Sequence, residues 1–194
     1  MPGTSGPTAR HSRPRLGRTF FARSSPVVAR ALLGCWLVHR SDGTTRAVQI
    51  CETEAYLGEA DPASHARMGP TPRNLPMYGP AGFAYVYLIY GMHHCLNVVT
   101  GPSGRAEAVL LRGARPSPYL PDRRLDGPAR LCAALGIDLR HNRLDLCRRS
   151  GAAVWLEAGE AVADEEILIG PRIGVTDPAP LRFRLRQPPP GLPT

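Results

Sequence analysis

The chain has 194 residues, a formal net charge of +8 and no lysine, so no lysine side chain is available to form a Schiff base with a substrate. Its length suits one domain with tails, and no apolar run approaches the roughly 20 residues that a membrane-spanning helix needs. The five cysteines show no CxxC spacing, which favours reduced thiols over a disulfide framework.

The N-terminal part is predicted to be a basic arm followed by a helix. Residues 1–18 combine proline, glycine and serine with four arginines, a composition typical of disordered segments. No apolar region follows these charges, so we expect a protein that is not secreted. Ser24-Ser25-Pro26 predicts the start of a helix, and Gly34 predicts its end.

The following elements are predicted to be mostly strands. Ser41-Asp42-Gly43 indicates a turn that joins strands at 35–39 and 47–57, and the Gly/Pro-rich residues 58–82 indicate a long loop. The elements predicted after that loop are a hairpin around Gly91, a strand at 106–112, a helix from Pro128 to Gly136, and strands at 154–157, 161–169 and 181–186. These elements form one domain over residues 19–186, followed by a proline-rich tail at 187–194.

The segment with the sequence ETEAY is the first candidate for chemistry. On a straight strand, Glu52, Glu54 and Tyr56 share a face with Val48 and Ile50. Carboxylates rarely lie inside a protein without a partner. One interpretation is that the strand end emerges into solvent and its glutamates are hydrated. The other is that a carboxylate acts as a general base at the edge of an apolar pocket.

An aromatic hairpin on a basic protein is the second candidate. Tyr85 and Tyr87 are predicted on one face of its first strand, and aromatic residues in such strands are usually core. Tyr90 directly precedes the turn, and an apolar hairpin tip can enter a duplex as a wedge between base steps. Arginine suits a phosphate partner, although a general enrichment in arginine explains the charge equally well. His93 and His94 point to opposite strand faces, so we expect no metal site.

Seven motifs occur in one order along the folded part of the chain. They are ETEAY at 52–56, His65, TPRN at 71–74, YVYLIYGM at 85–92, Asn97, LLRG at 110–113 and GPARLCAALGI at 127–137. Together they resemble the alkyladenine DNA glycosylase family, also called 3-methyladenine DNA glycosylases, over about residues 20–186. The segment that follows RIGV at 172–175 is shorter here than in the family.

The resemblance implies an α+β fold in a single domain, with a curved, mainly antiparallel sheet and a few flanking helices. It implies a monofunctional enzyme of base excision repair that flips alkylated purines out of DNA. A water molecule activated by a glutamate then hydrolyses the N-glycosidic bond and leaves an abasic site. The expected partner is double-stranded DNA containing damaged purines. We expect no cofactor, no membrane association and a monomer. The expected location is the cytoplasm, at a bacterial-type nucleoid, or the nucleus.

The resemblance also assigns roles to residues. Glu54 matches the general base, and Arg112 matches the residue that helps to hold the attacking water. The implied base pocket consists of Tyr56, His65, Tyr87, Asn97 and Leu110. Tyr90 and Met92 match the residues that enter the duplex, and Arg67 and Arg73 are expected near the DNA backbone. Two other interpretations stay open: a damaged-DNA-binding module without catalysis, and a metal-dependent nucleic-acid hydrolase.

Overall fold

One antiparallel sheet dominates the architecture. The computed structural model describes residues 13–121 and 124–186. Within these ranges the eight strands are β1 (Trp36–Ser41), β2 (Thr44–Leu57), β3 (Ala84–Ile89), β4 (His93–Thr100), β5 (Glu107–Arg115), β6 (Val154–Glu157), β7 (Ile167–Gly170) and β8 (Arg182–Leu185). The three α-helices in the same ranges are α1 (Arg18–Phe21), α2 (Ser25–Ala31) and α3 (Pro128–Leu135). The strand order is β3-β4-β5-β2-β1-β6, and β8 pairs with both β2 and β7. This confirms the predicted α+β class.

The two longer helices lie where the sequence predicts them. Helix α2 carries Pro26 in its first turn, and Gly34 shortly after its end has a φ of 82°. Helix α3 ends at Gly136, which has a φ of 73°. Glycine adopts this left-handed conformation without a Cβ penalty and therefore ends helices efficiently.

The predicted strands are confirmed with one exception. The strand expected at 161–169 is largely absent, since only Ile167–Gly170 is extended and Asp164–Glu166 forms a short 3-10 turn. The acidic residues of this turn are consecutive and exposed, so they cannot present one apolar face to a core as a half-buried strand does.

The end of the predicted N-terminal arm packs against the domain. Leu16 is buried and its backbone N–H donates to Leu156 O over 2.9 Å, while Arg15 forms a β-bridge with Glu157. Disorder is therefore the wrong prediction for residues 13–18, because an apolar side chain and free strand-edge groups of β6 are available to hold them. The rest of the arm and the tail at 187–194 lie outside the described residues.

The main core fills one face of the sheet, where α2 and α3 pack. In the β3–β4 hairpin, Ala84 and Val86 point into this core, while Tyr85 and Tyr87 belong to a smaller cluster on the other face. The predicted alternation along β3 is thus confirmed. All five cysteines are free thiols. No helix in the described part of the chain is long and apolar enough to cross a membrane.

A β-bulge divides strand β2 into two halves. Before it, Val48 and Ile50 point into the main core, and after it Ala55 does so. The pairing of β2 with β5 shifts on both sides of Glu52, and an extra residue reverses which side chains face the core. The prediction that Glu52 and Glu54 share a face with Val48 and Ile50 is therefore wrong. The bulge turns both glutamates away from the core face, because the strand is not straight.

Two buried histidines join β1 to the segment after α3. His39 Nδ1 lies 2.6 Å from Leu135 O, and His39 Nε2 lies 3.2 Å from His141 Nε2. The backbone N–H of Asp138 donates to His141 Nδ1 over 3.1 Å. With a neutral His39 ring, Nδ1 donates to Leu135 O and Nε2 accepts from His141 Nε2, while His141 Nδ1 also lies 3.2 Å from Asp138 Oδ1. Burial, His141 and Arg46 lower the pKa of His39, although Leu135 O and Asp138 act in the opposite direction.

The lowered pKa of His39 predicts a loss of stability in mild acid. The unfolded chain takes up a proton near the ordinary value of about 6.5, whereas the folded state does so only at lower pH. The free energy of unfolding should therefore be constant above that value and decrease as the pH falls below it. In the variant His39→Asn, whose amide can still donate to Leu135 O, we expect lower stability at neutral pH but a shallower decrease.

Urea unfolding between about pH 7.5 and about pH 5.5 measures this dependence. The exposed His93 provides the matched control, and His93→Asn should keep the slope of the parent protein. An unchanged slope in His39→Asn would show that this histidine does not couple proton uptake to unfolding.

Candidate active site

A cavity of about 350 Å³ opens on the sheet face that carries Tyr85 and Tyr87, with Pro128 at the start of α3 also in its lining. Its wall contains most of the site residues that the sequence predicts: Glu54, Tyr56, His65, Tyr87, Tyr90, Asn97, Leu110 and Arg112. Strands β2 to β5 supply all of these except His65, which lies in the long loop, and Tyr90, which lies in the β3–β4 turn. Met92, Arg67 and Arg73 do not line the cavity.

Glu54 is a buried carboxylate with every oxygen in contact with a partner. Its side chain is only 1% exposed. Oε1 accepts a hydrogen bond from the Ile173 backbone N–H over 2.9 Å, and Oε2 accepts one from the Tyr56 hydroxyl over 3.0 Å. The Arg112 Nε atom lies 3.6 Å from Oε1. The interpretation that the strand end emerges into solvent is therefore wrong for Glu54. The Ile173 partner is a backbone N–H group, which no side-chain motif in the sequence predicts.

Arg112 is shared between two carboxylates. Its Nε atom donates to Glu52 Oε1 over 3.2 Å and lies beside Glu54 as well. Arg182, on β8, donates to the same Glu52 oxygen over 3.2 Å. Two carboxylates and two guanidinium groups thus form one cluster of zero formal charge, which compensates for the removal of these groups from water.

Aromatic rings form much of the cavity wall. The His65 and Tyr87 ring centroids are 4.6 Å apart, with an interplanar angle of 68°. These rings touch edge to face, so a base stacked between them requires one ring to move. His65 Nδ1 lies 3.0 Å from the Tyr85 hydroxyl. Asn97 donates to Tyr85 O over 3.1 Å, which holds its side chain at the cavity floor.

The tyrosine and histidine rings of this wall are neutral at neutral pH. Burial raises the pKa of Tyr56 and of Tyr87 well above the ordinary value, and burial raises the pKa of Tyr85 to about 12. The pKa of His65 is lowered by burial and by the positive charge of Arg73. These rings therefore bring no positive charge of their own to the cavity at neutral pH.

A buried ion cluster lies behind Tyr56. The Arg172 guanidinium carbon is 4.7 Å from the Tyr56 ring centroid. Arg172 donates to both carboxylate oxygens of Asp61, over 2.5 Å and 2.8 Å, and to Asp177 Oδ2 over 2.6 Å. Arg172 also leads directly into the segment 173–175, which lines the cavity. In the sequence, 172–175 is recognised only as the RIGV motif that precedes a shortened segment, and no pattern indicates the ion cluster.

The β3–β4 turn presents an apolar tip beside the cavity mouth. Tyr90 is 87% exposed and Met92 is 68% exposed. Tyr90 has a φ of 50° and Gly91 a φ of 70°, and Met92 N–H closes the turn to Ile89 O over 3.1 Å. A positive φ is unusual for a bulky side chain, so the turn holds Tyr90 outward at some conformational cost.

The two arginines expected near DNA phosphates lie outside the cavity. Arg73 donates to Leu88 O over 3.0 Å, and its guanidinium carbon is 5.4 Å from the Tyr87 ring centroid. It therefore packs against Tyr87, on the hairpin face that also carries Tyr85. Arg67 is exposed and reaches only Pro62 O, at 3.5 Å. In the described ranges, no group of three or more His, Cys, Asp or Glu side chains is arranged to hold a metal ion.

Comparison with known proteins identifies the family. The profile described as "Methylpurine-DNA glycosylase (MPG)" matches residues 19–189. The chain is 52% identical to a protein of Myxococcus xanthus, with 82% of this chain and 81% of that protein covered. It is 48% identical to a protein of Anaeromyxobacter dehalogenans (91% and 88% covered), and 45% identical to one of Carboxydothermus hydrogenoformans (89% and 95%). Each is named "Putative 3-methyladenine DNA glycosylase". The chain therefore belongs to the methylpurine-DNA glycosylase family and is a DNA glycosylase.

Proposed function

We propose that the protein hydrolyses the N-glycosidic bond of alkylated purines, such as 3-methyladenine, in double-stranded DNA and leaves an abasic site. The observation that carries this proposal is the buried Glu54 carboxylate, held by Ile173 N–H and the Tyr56 hydroxyl at the wall of an aromatic cavity. The names of the relatives support the class of base.

Glu54 acts as the general base in this reaction. It takes a proton from a water molecule, the water oxygen attacks the sugar C1′ atom, and the C1′–N bond breaks with its electron pair leaving on the base. A nearby carboxylate also stabilises the positive charge that develops on the sugar. Arg112, which lies next to Glu54, supplies donors that orient the water.

The damaged nucleotide leaves the helix before this reaction. A base stacked in a duplex cannot reach a cavity walled by Tyr56 and Tyr87, so the nucleotide must be extruded. The exposed Tyr90 at the cavity mouth is suited to fill the gap that the base leaves. Aromatic walls then stack on the extruded base, a contact worth about 1–3 kcal/mol.

The chemistry of the wall favours cationic lesions. Alkylation at purine N3 or N7 makes the base cationic, so it departs as a neutral molecule and needs no proton. A neutral purine must first be protonated to leave well. Tyr56 and Tyr87 have raised pKa values, and the lowered pKa of His65 leaves it without a proton to donate as an imidazolium. The absence of lysine further argues against strand cleavage through a Schiff base.

Two alternatives make different predictions. A damaged-DNA-binding module without catalysis would bind lesion duplexes and release no base at any protein concentration. A metal-dependent nucleic-acid hydrolase would lose its activity in the presence of a chelator. The burial and contacts of Glu54 favour the hydrolytic glycosylase over both alternatives, because a binding module does not need a desolvated carboxylate at the cavity wall.

The first test replaces the general base. In Glu54→Gln we expect the release of 3-methyladenine from methylated DNA to fall by at least about 100-fold, because the amide cannot accept the proton of the attacking water. Binding to a lesion duplex, measured by fluorescence anisotropy, should persist. The exposed Glu160 gives a control, since Glu160→Gln removes the same charge away from the cavity. Equal rates for Glu54→Gln and the parent would rule out this role.

The second test removes the aromatic tip. In Tyr90→Ala we expect roughly tenfold slower base release from duplex DNA, because unstacking a base costs a few kcal/mol and the tip no longer offsets it. Single-stranded DNA should show a much smaller effect, as little stacking opposes extrusion there. Leu139→Ala removes another half-exposed apolar side chain and should leave both rates unchanged. An equal loss on both substrates would contradict a wedge role.

The third test separates hydrolysis by Glu54 from metal catalysis. We expect base release to be unaffected by an excess of EDTA, since the described part of the chain contains no cluster of metal-ligating side chains. Release that stops with EDTA and returns with added divalent cation would support the metal-dependent alternative.

A further inference from the structure

We propose that Asp177 sets the preference of the base pocket for cationic over neutral damaged purines. It does so by giving a net negative charge to the ion cluster behind Tyr56. This inference rests on the proposed function, because it takes the cavity to be the site that receives the extruded base. It adds the residue that discriminates between two classes of lesion.

The cluster behind Tyr56, consisting of Asp61, Arg172 and Asp177, contains one guanidinium group and two carboxylates. The Arg172 side chain is 0% exposed and the Asp177 side chain 20% exposed. Both carboxylates lie within hydrogen-bond distance of the guanidinium. The formal charge of the cluster is therefore −1. Solvent screens this charge only weakly, because the side chains are mostly buried.

Asp61 alone is sufficient to neutralise Arg172. Its two oxygens form a two-point contact with the guanidinium, and they also accept the backbone N–H groups of Leu57 and Ala63, each over 3.0 Å. Burial opposes the charge of Asp61, but these hydrogen bonds outweigh it and lower the pKa of its carboxyl. Asp177 binds a guanidinium nitrogen that Asp61 already contacts. Asp177 thus supplies the excess charge.

The position of the cluster directs this charge at the base pocket. The Arg172 guanidinium lies against the Tyr56 ring, and Tyr56 lines the cavity. The other charged groups of the wall, around Glu54 and Arg112, form the cluster of zero formal charge described above. Arg73 acts on the opposite wall, at His65 and Tyr85, and its charge is the same whether or not Asp177 is replaced. Removal of the Asp177 charge therefore shifts the field at the cavity in the positive direction.

A negative field distinguishes lesions by their charge. An N7-alkylated purine carries a positive charge into the cavity, whereas hypoxanthine carries none. A unit charge on the order of 10 Å from a cation, at an effective dielectric constant of about 20 to 40, changes its binding by roughly fourfold to fifteenfold. The same charge has little effect on a neutral base of similar shape.

The experiment compares Asp177→Asn with Asp177→Glu in the full-length chain. Asparagine keeps an oxygen that can accept from Arg172 but removes the charge, and glutamate keeps the charge but changes the geometry. For each protein, kcat/KM for base release is measured on two duplexes that differ only in containing 7-methylguanine or hypoxanthine. We expect Asp177→Asn to lower the ratio of the two values at least about fourfold, and Asp177→Glu to keep the parent ratio.

A ratio is informative because a purely structural role for Asp177 would slow both reactions equally. An unchanged ratio in Asp177→Asn would overturn the proposal. So would an equal change of the ratio in Asp177→Glu, because geometry and not charge would then be responsible.

A binding measurement makes the test independent of turnover. In the Glu54→Gln background, the affinities for the two duplexes are measured by anisotropy, with and without Asp177→Asn. We expect the affinity ratio to shift in the same direction as the kinetic ratio. If the parent protein releases neither base, the proposed function fails, and the affinity ratio still decides whether Asp177 confers charge selectivity.

Discussion

The structure of the site depends on holding a carboxylate inside the protein beside an apolar cavity. An isolated buried carboxylate is costly, and Glu54 avoids this cost through a backbone N–H, a tyrosine hydroxyl and a nearby guanidinium. None of these partners is adjacent in sequence to the others. The bulge in β2 makes the arrangement possible, because it aims Glu54 away from the main core while the rest of the strand stays paired.

Two charged clusters flank the cavity and differ in their balance. The cluster around Glu52 and Arg112 has zero formal charge, and it orients the groups next to Glu54. The cluster of Asp61, Arg172 and Asp177 carries an excess negative charge and holds the segment that supplies Ile173 N–H. Orientation of the proposed general base and the field on the base pocket are thus linked through one short stretch of chain.

The β3–β4 hairpin contributes to both the core and the site. Its two faces serve different purposes: Ala84 and Val86 pack in the core, while Tyr85 and Tyr87 contribute to the cavity. Its turn holds Tyr90 in solvent in an unusual backbone conformation. Stable packing of the strands positions an exposed aromatic tip that does not contribute to the core, which is typical of residues kept for binding.

The sequence by itself determined the local elements, the family and eight of the residues that line the cavity, because turn residues, strand alternation and ordered motifs are local properties. Only the tertiary structure decided which face Glu54 occupies, that Ile173 N–H and Arg172 belong to the site, and that His65 contacts Tyr87. A bulge, a backbone donor and an ion pair across more than a hundred residues leave no periodic pattern in the sequence. They arise from the way distant segments meet, and only the folded chain specifies that.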